Sequence, residues 1–253
     1  MKQLIKLCMM WWSSIIHCNH KSKLLYYHDV CEGEGYRSLD TNALMGTNIE
    51  LFKQHINIIK EEGYKIVPRI TEEEGEVSIL FDDGFRGIWD NRYFFYDNDI
   101  KPTVFLPVDY VGQVNRGILS IEEILELQQH GFIFECHSWS HAPLDKKSDI
   151  ELKKELGDSR EKLSKMLNKE VKEICLPLGY FTDHLLTEIK KYGYDEVYSC
   201  IPGAFLEKTI GGMRRRNICQ FASPTEFRLT LRGGLDSLCS HYEKLHHHPN
   251  YTA

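Results

Sequence analysis

The chain has no surplus of basic residues. Its 31 lysines and arginines are outnumbered by 37 acids, the formal net charge is −6, and no long basic stripe offers a track for a nucleic-acid backbone. It has no CxxC pair: the eight cysteines, at 8, 18, 31, 136, 175, 200, 219 and 239, stand singly. That spacing argues against a zinc knuckle or a disulfide framework and for reduced, mostly buried thiols in a cytoplasmic protein. Missing too are a GxGxxG at a strand-to-helix junction, a Walker A motif and a GxSxG elbow, so the usual signatures of dinucleotide, phosphate and serine-hydrolase sites are absent. No internal repeat, low-complexity linker or domain boundary interrupts residues 24–240.

What is present is ordinary globular composition. The chain has 253 residues, 42% hydrophobic and 27% charged, enough for one large core. Residues 1–23 differ from the rest, with lysines at both ends and an apolar middle from Leu7 to Ile16. That middle is too short to span a bilayer, and no small-x-small cleavage site follows it. On a helix, Ile5, Cys8, Trp12 and Ile15 share a face. Two readings stand: a segment lying at a membrane interface with Trp11 and Trp12 as anchors, or a helix packed on the domain. The first places the protein at the inner membrane face.

From residue 23 the apolar pattern keeps changing period. Strands are expected at 23–28, 77–81, 102–107, 132–136, 173–177 and 195–200. Helices are expected at 47–63, 120–131, 148–168, 182–193 and 224–234, with capping boxes at Ser120/Glu123 and Ser148/Glu151. Such alternation with short connections implies a parallel α/β sheet, open or closed into a barrel. Residues 241–253 read as a polar tail.

Polar residues collect where those strands end. His28 follows the first strand, Asp82 and Asp83 follow "VSILF", His137 and His141 follow "FIFEC", and Pro177 and Gly179 follow "EICL". In a parallel α/β fold the strand C-termini share one face, where active sites are built. "HSWSH" puts two imidazoles one helical turn apart, and one added carboxylate makes a two-His, one-carboxylate set with open positions. A divalent ion there lowers the pKa of a bound water from about 16 towards about 7. One aspartate of the pair can ligate and the other can take the water's proton.

Together "ILFDDGF" (79–85), "HSWSH" (137–141) and "CLPLGY" (175–180) resemble the leading motifs of the polysaccharide deacetylases, the NodB-homology or carbohydrate esterase family 4 enzymes. "LLYYHDV" (24–30), "LFKQHINIIKEEGYKIV" (51–67) and "KPTVFLP" (101–107) are similar to the branch of poly-N-acetylglucosamine and surface-polysaccharide-locus deacetylases. The likeness runs over residues 24–200. It implies a distorted (β/α)7 barrel and removal of an N-acetyl group from an amino sugar, the saccharide being lipid-linked if residues 1–23 touch a membrane. It also implies Asp82 as general base, with Asp83, His137 and His141 holding the metal. That metal is zinc in the first instance, with cobalt, nickel and iron as alternatives. His28 falls at the active site, and Trp139, Pro177, Gly179 and Tyr180 fall on the substrate side.

Two departures from the family pattern are visible. Cys175 stands where many members carry an arginine that orients the catalytic acid, and the late Leu-x-His motif is matched only by letters in "LHHH" (245–248). The latter passes proton donation to the leaving amine to His28 or to water. The same residues would serve a hydrolase of a non-sugar amide or an O-acetyl ester. A catalytically silent glycan-binding barrel also stays open.

Overall fold

The computed structural model describes residues 2–17, 19–33 and 35–248. Helix α1 (Lys2–Ile16) precedes β1 (Lys23–Tyr27), β2 (Asp29–Cys31) and β3 (Gly46–Asn48), and α2 (Ile49–Glu61) leads to β4 (Lys65–Ile66) and β5 (Glu76–Phe81). Two short helices, α3 (Gly87–Asp90) and α4 (Arg92–Asp97), come before β6 (Thr103–Leu106), α5 (Ile121–Gln129) and β7 (Ile133–Cys136). Then follow α6 (Asp149–Leu152), a π-helical turn over Lys153–Asp158, α7 (Ser159–Leu167), β8 (Glu173–Cys175), α8 (Asp183–Lys191) and β9 (Glu196–Tyr198). β10 (Asn217–Ile218), α9 (Pro224–Leu231) and α10 (Cys239–His246) complete the chain.

The main sheet is parallel throughout, in the order β10-β1-β5-β6-β7-β8-β9, with β4 paired to the start of β5. Its two ends meet. Arg214 bridges Tyr198 of β9 in parallel, and three residues later Asn217 pairs with Leu25 of β1. Segment 214–218 is therefore the stave that closes a seven-strand ring, the distorted (β/α)7 barrel that the family resemblance implies and one of the two forms the alternation left open. β5, EVSILF, is buried at every position, as a parallel strand covered on both faces requires. Helix starts obey local chemistry: capping boxes form at Ser120/Glu123, Ser148/Glu151 and Ser223/Glu226, and Asn48 caps α2 by accepting from the Glu50 N–H.

Sequence periodicity missed the short pieces. β2, β3, β4 and β10 have two or three residues each, too few to show a period. Residues 239–246 are helical, and His247 pairs with Phe181, so the stretch read as a tail is folded against the third motif as far as His248. Residues 249–253 lie outside the described residues.

Helix α1 does pack on the domain, but through its less apolar side. Met10, Ser13 and Ser14 are buried, the Ser13 hydroxyl donates to the Gly233 carbonyl at 2.8 Å, and Lys6 pairs with Glu226. Leu4, Ile5, Met9, Trp11, Trp12, Ile15 and Ile16 face outward. Among the described residues no helix is long and apolar enough to cross a membrane.

Candidate metal centre and active site

The turn after β5 is tight and strained. Asp82 N–H donates to the Tyr27 carbonyl, continuing the β1–β5 ladder one residue beyond the strand, and Gly84 N–H turns back to the Asp82 carbonyl. Asp83 between them adopts a left-handed backbone, φ 71°, which aspartate tolerates better than most residues. Gly84 has φ 73°, and a Cβ there would lie 2.5 Å from Leu106 Cδ2, so the position demands glycine. The two carboxylates consequently diverge.

Asp83 meets the histidines. Its Oδ1 lies 3.1 Å from His141 Nε2 and 3.6 Å from His137 Nε2, and this buried oxygen has no hydrogen-bond partner. Donor atoms of Asp83, His137 and His141 all lie within 4.8 Å of one another. An orphaned carboxylate oxygen facing two imidazole nitrogens, with both rings oriented from behind, fits a divalent cation. His137 Nδ1 donates to the Cys175 carbonyl at 2.8 Å, and His141 Nδ1 donates to Asp40 Oδ2 at 2.5 Å. Burial would raise the Asp83 carboxyl, but the close approach and charge of His141, helped by His28 and His137, hold it well below the usual carboxylate range. Burial pushes His137 down to about 4, whereas His141, despite burial, is lifted to about 9 by Asp83 and Asp40.

The loop carrying the histidines is shaped by a residue that the motif does not contain. Ser138 and His141 both have left-handed backbones, at φ 68° and 60°. Buried Glu155, in the π-helical turn, accepts from the Trp139 and Ser140 N–H groups at 3.0 Å and from the Ser140 hydroxyl at 2.6 Å. The extra residue of the π turn aims this carboxylate at the loop, a use such turns often have.

Asp82 faces the other way, onto Arg216. The guanidinium forms a two-pronged pair, Nη1–Oδ1 at 2.7 Å and Nη2–Oδ2 at 3.0 Å, with both side chains buried. Burial opposes ionisation, yet Arg216 keeps the Asp82 carboxyl below its ordinary value. The guanidinium is itself held by the Ser199 carbonyl and lies over the Tyr26 ring, 4.3 Å from its centroid. Cys175, at the position where the family often has arginine, contacts Asp82 Oδ2 only through sulfur at 3.9 Å. The arginine has therefore arrived from a different strand. Its faint sequence signal was "RRRNIC", a charged run feeding two strand-like residues.

His28, just after β1, lies close enough to lower both aspartates, and its Nδ1 is hydrogen-bonded to Gln220 Oε1. Gln220 is another residue that no motif announced. Gly179, at φ 75°, packs where a Cβ would come within 2.9 Å of Cys200, so the third motif is seated against the strand end after β9. Pro177 is buried beside it. Tyr180 stacks on His248, with centroids 5.1 Å apart, and Trp139 is half-buried under Lys154. The "LHHH" letters thus border the third motif; the structure pairs His248 with buried Asp145 at 2.8 Å and stacks His247 on Phe181.

A parallel (β/α)7 barrel with an Asp-His-His cluster and a second ionised aspartate at the strand ends defines a metal-hydrolase type of scaffold. The polysaccharide deacetylase family profile matches residues 69–197, and the chain belongs to that family. YxkH of Bacillus subtilis, a candidate polysaccharide deacetylase, is 26% identical over 195 residues, covering 73% of this chain and 66% of that protein. An uncharacterised 30.6 kDa protein of Geobacillus stearothermophilus is 24% identical over 126 residues, so the chain spans 66% and 45% of these two curated relatives. Among solved structures, the fold is similar to the Streptococcus pyogenes deacetylase PplD in complex with acetate. The TM-score is 0.70 at 22% identity, covering 84% of this chain and 99% of that one. It is also similar to IcaB from Ammonifex degensii, with TM-score 0.67 at 15% identity and coverage of 84% and 97%.

Proposed function

We propose that this chain hydrolyses the N-acetyl group of an amino sugar in a poly- or oligosaccharide, with a divalent ion held by Asp83, His137 and His141. The observation that carries this is the partnerless Asp83 Oδ1 facing two imidazoles, one residue from a carboxylate kept ionised by an arginine. The donor set suits zinc, with cobalt, nickel and iron as alternatives. When bound, such an ion polarises the acetyl carbonyl and acidifies water. Asp82 removes the proton of the attacking water, its remaining lone pairs being free while Arg216 occupies one on each oxygen. His28, its ring fixed through Nδ1 by Gln220, supplies the proton to the departing amine from Nε2. The backbone of the Pro177–Gly179 turn lies on the side where the oxyanion develops, and Trp139 and Tyr180 flank the sugar.

The test is acetate release from a panel of N-acetylated saccharides. Chelator is expected to abolish release and added Zn2+ to restore it. Saccharide binding without acetate release, by metal-loaded protein, would instead support a silent glycan-binding barrel. Release confined to O-acetyl esters or non-sugar amides would move the substrate class.

The outward face of α1 supports the membrane-contact reading of the N-terminal segment. Trp12 is 61% and Ile16 70% exposed, and no acid lies within the helix. A peripheral site of this kind would suit a lipid-linked saccharide. Changing Trp11 and Trp12 together to serine is expected to weaken binding to phosphatidylethanolamine–phosphatidylglycerol vesicles, read by pelleting, by at least about tenfold, since full burial of even one large apolar side chain contributes about 1.5–3 kcal/mol. Unchanged pelleting would remove this contact.

A further inference from the structure

Fourteen residues separate β2 from β3, and residues 36–45 of this loop bring Asp40 to His141 at the strand ends. Its tip is a tight turn: Ser38 Oγ accepts from the N–H groups of Asp40 and Thr41, and Ser38 and Ala43 are joined through their backbones. The loop is docked on segment 110–118. Arg116 donates to the Leu39 carbonyl, and Tyr36, Leu39 and Met45 pack on a small separate core of Phe85, Tyr110 and Ile118. A Cβ on Gly117 would stand 2.0 Å from the Tyr36 ring, so that approach requires glycine.

This docking delivers one carboxylate to a ligand histidine 101 positions away. Asp40 Oδ2 lies 2.5 Å from His141 Nδ1, while Asp40 Oδ1 accepts from the Tyr110 hydroxyl at 2.8 Å. Both Asp40 oxygens are therefore assigned, one to anchor the carboxylate and one to the imidazole. The two ligand histidines differ in this respect, because His137 is held by the fixed backbone carbonyl of Cys175. His141 also needs more help, since its backbone is left-handed.

We infer that Asp40 is a positioning residue for the metal centre, fixing the His141 tautomer so that Nε2 presents its lone pair beside Asp83, and that Tyr110 in turn fixes Asp40. This rests on the ligand set proposed above. Outer carboxylates of this kind orient the ring and raise its basicity, and losing one commonly costs 10–100-fold in metal affinity. It follows that the loop at the barrel mouth and the metal site are one mechanical unit: ion binding is expected to stabilise the turn at Ser38–Ala43, and loosening that turn is expected to weaken binding.

The experiment is Zn2+ affinity of the full chain, by competition with a chromophoric chelator, for wild type, Asp40→Ala, Asp40→Asn, Tyr110→Phe and Asp83→Ala. Asp40→Ala is expected to weaken binding about 10–100-fold, with far-UV circular dichroism unchanged because Asp40 lies on a loop and is 46% exposed. Asp40→Asn, which keeps the shape and loses the charge, and Tyr110→Phe should fall between it and wild type. The visible spectrum of the Co2+-loaded protein should change in Asp40→Ala, and amides 38–43 should gain exchange protection on metal loading in wild type only. Wild-type affinity in Asp40→Ala together with its loss in Asp83→Ala overturns the role of Asp40 and leaves the ligand set standing. Absence of binding in wild type overturns the ligand set itself.

Discussion

Substituting asparagine for Asp82 is expected to lower acetate release by about 10²–10⁴-fold while bound metal stays at the wild-type level. The two halves of this expectation test different things. Loss of turnover follows from removing the base, because the amide keeps the shape and cannot take a proton. Retained metal follows from the division of labour between neighbouring acids. That division has a competitor in the same structure: Asp82, His137 and Cys175 also bring donor atoms within 4.8 Å of one another. Three facts disfavour it. Each Asp82 oxygen already accepts one hydrogen bond from the cationic Arg216, which weakens it as a ligand for a second cation. Burial pushes the Cys175 thiol well above its ordinary value, so a thiolate there is costly. The Asp83 set, by contrast, contains an oxygen with nothing else to bind. Metal analysis of the purified variant separates the two sets. If the ion leaves with Asp82, it sits on the inner group and the roles of the acids are reversed. Cys175→Ala provides the complementary control and should leave metal content unchanged.

Much of this site could be read from the chain because its parts occur as contiguous motifs at strand ends. Asp82 and Asp83 follow a strand whose last five residues, 77–81, are apolar or small, and the histidine pair follows another, so period alone placed four side chains on one rim. The supporting residues could not be found that way. Arg216 lies 134 positions from Asp82, Asp40 101 from His141, and Gln220 192 from His28. Each of these is joined to its partner by barrel closure or by a long loop, and neither leaves a local pattern. Glu155 was hidden for a different reason: within a helix its spacing reads as solvated charge, and only the π turn rotates it inward. The missing third-motif arginine is the instructive case. Its absence at 175 was visible, but a guanidinium can reach the same carboxylate from any stave that borders it. α1 shows the converse, since its apolar stripe was evident and its outward orientation was not; the docking side is chosen by Met10 and two serines that fit against α9 and the turn at Gly233.

Replacing Arg216 with methionine should give the largest combined effect on stability and rate. Breaking a buried pair by removing one partner leaves the other charge uncompensated, at a cost of about 3–5 kcal/mol. Arg216 and Asp82 are both buried, so solvent screening does little to soften that cost. Chemical denaturation of the variant should show it as a lowered midpoint. Where the variant is still folded, turnover should fall because burial, no longer opposed by the guanidinium, raises the Asp82 carboxyl. The sign is definite: a base with a raised pKa is protonated over a wider acidic range, so the acid limb of kcat/KM moves to higher pH. A merely structural arginine would lower stability and leave that limb in place. Arg216→Lys should not restore the wild-type profile, since an ammonium offers a point charge where two parallel N–H groups are needed. The cycle with Asp82→Asn completes the case. If Arg216 acts through Asp82, the double variant should be little slower than Asp82→Asn alone, whereas independent roles would multiply the two losses.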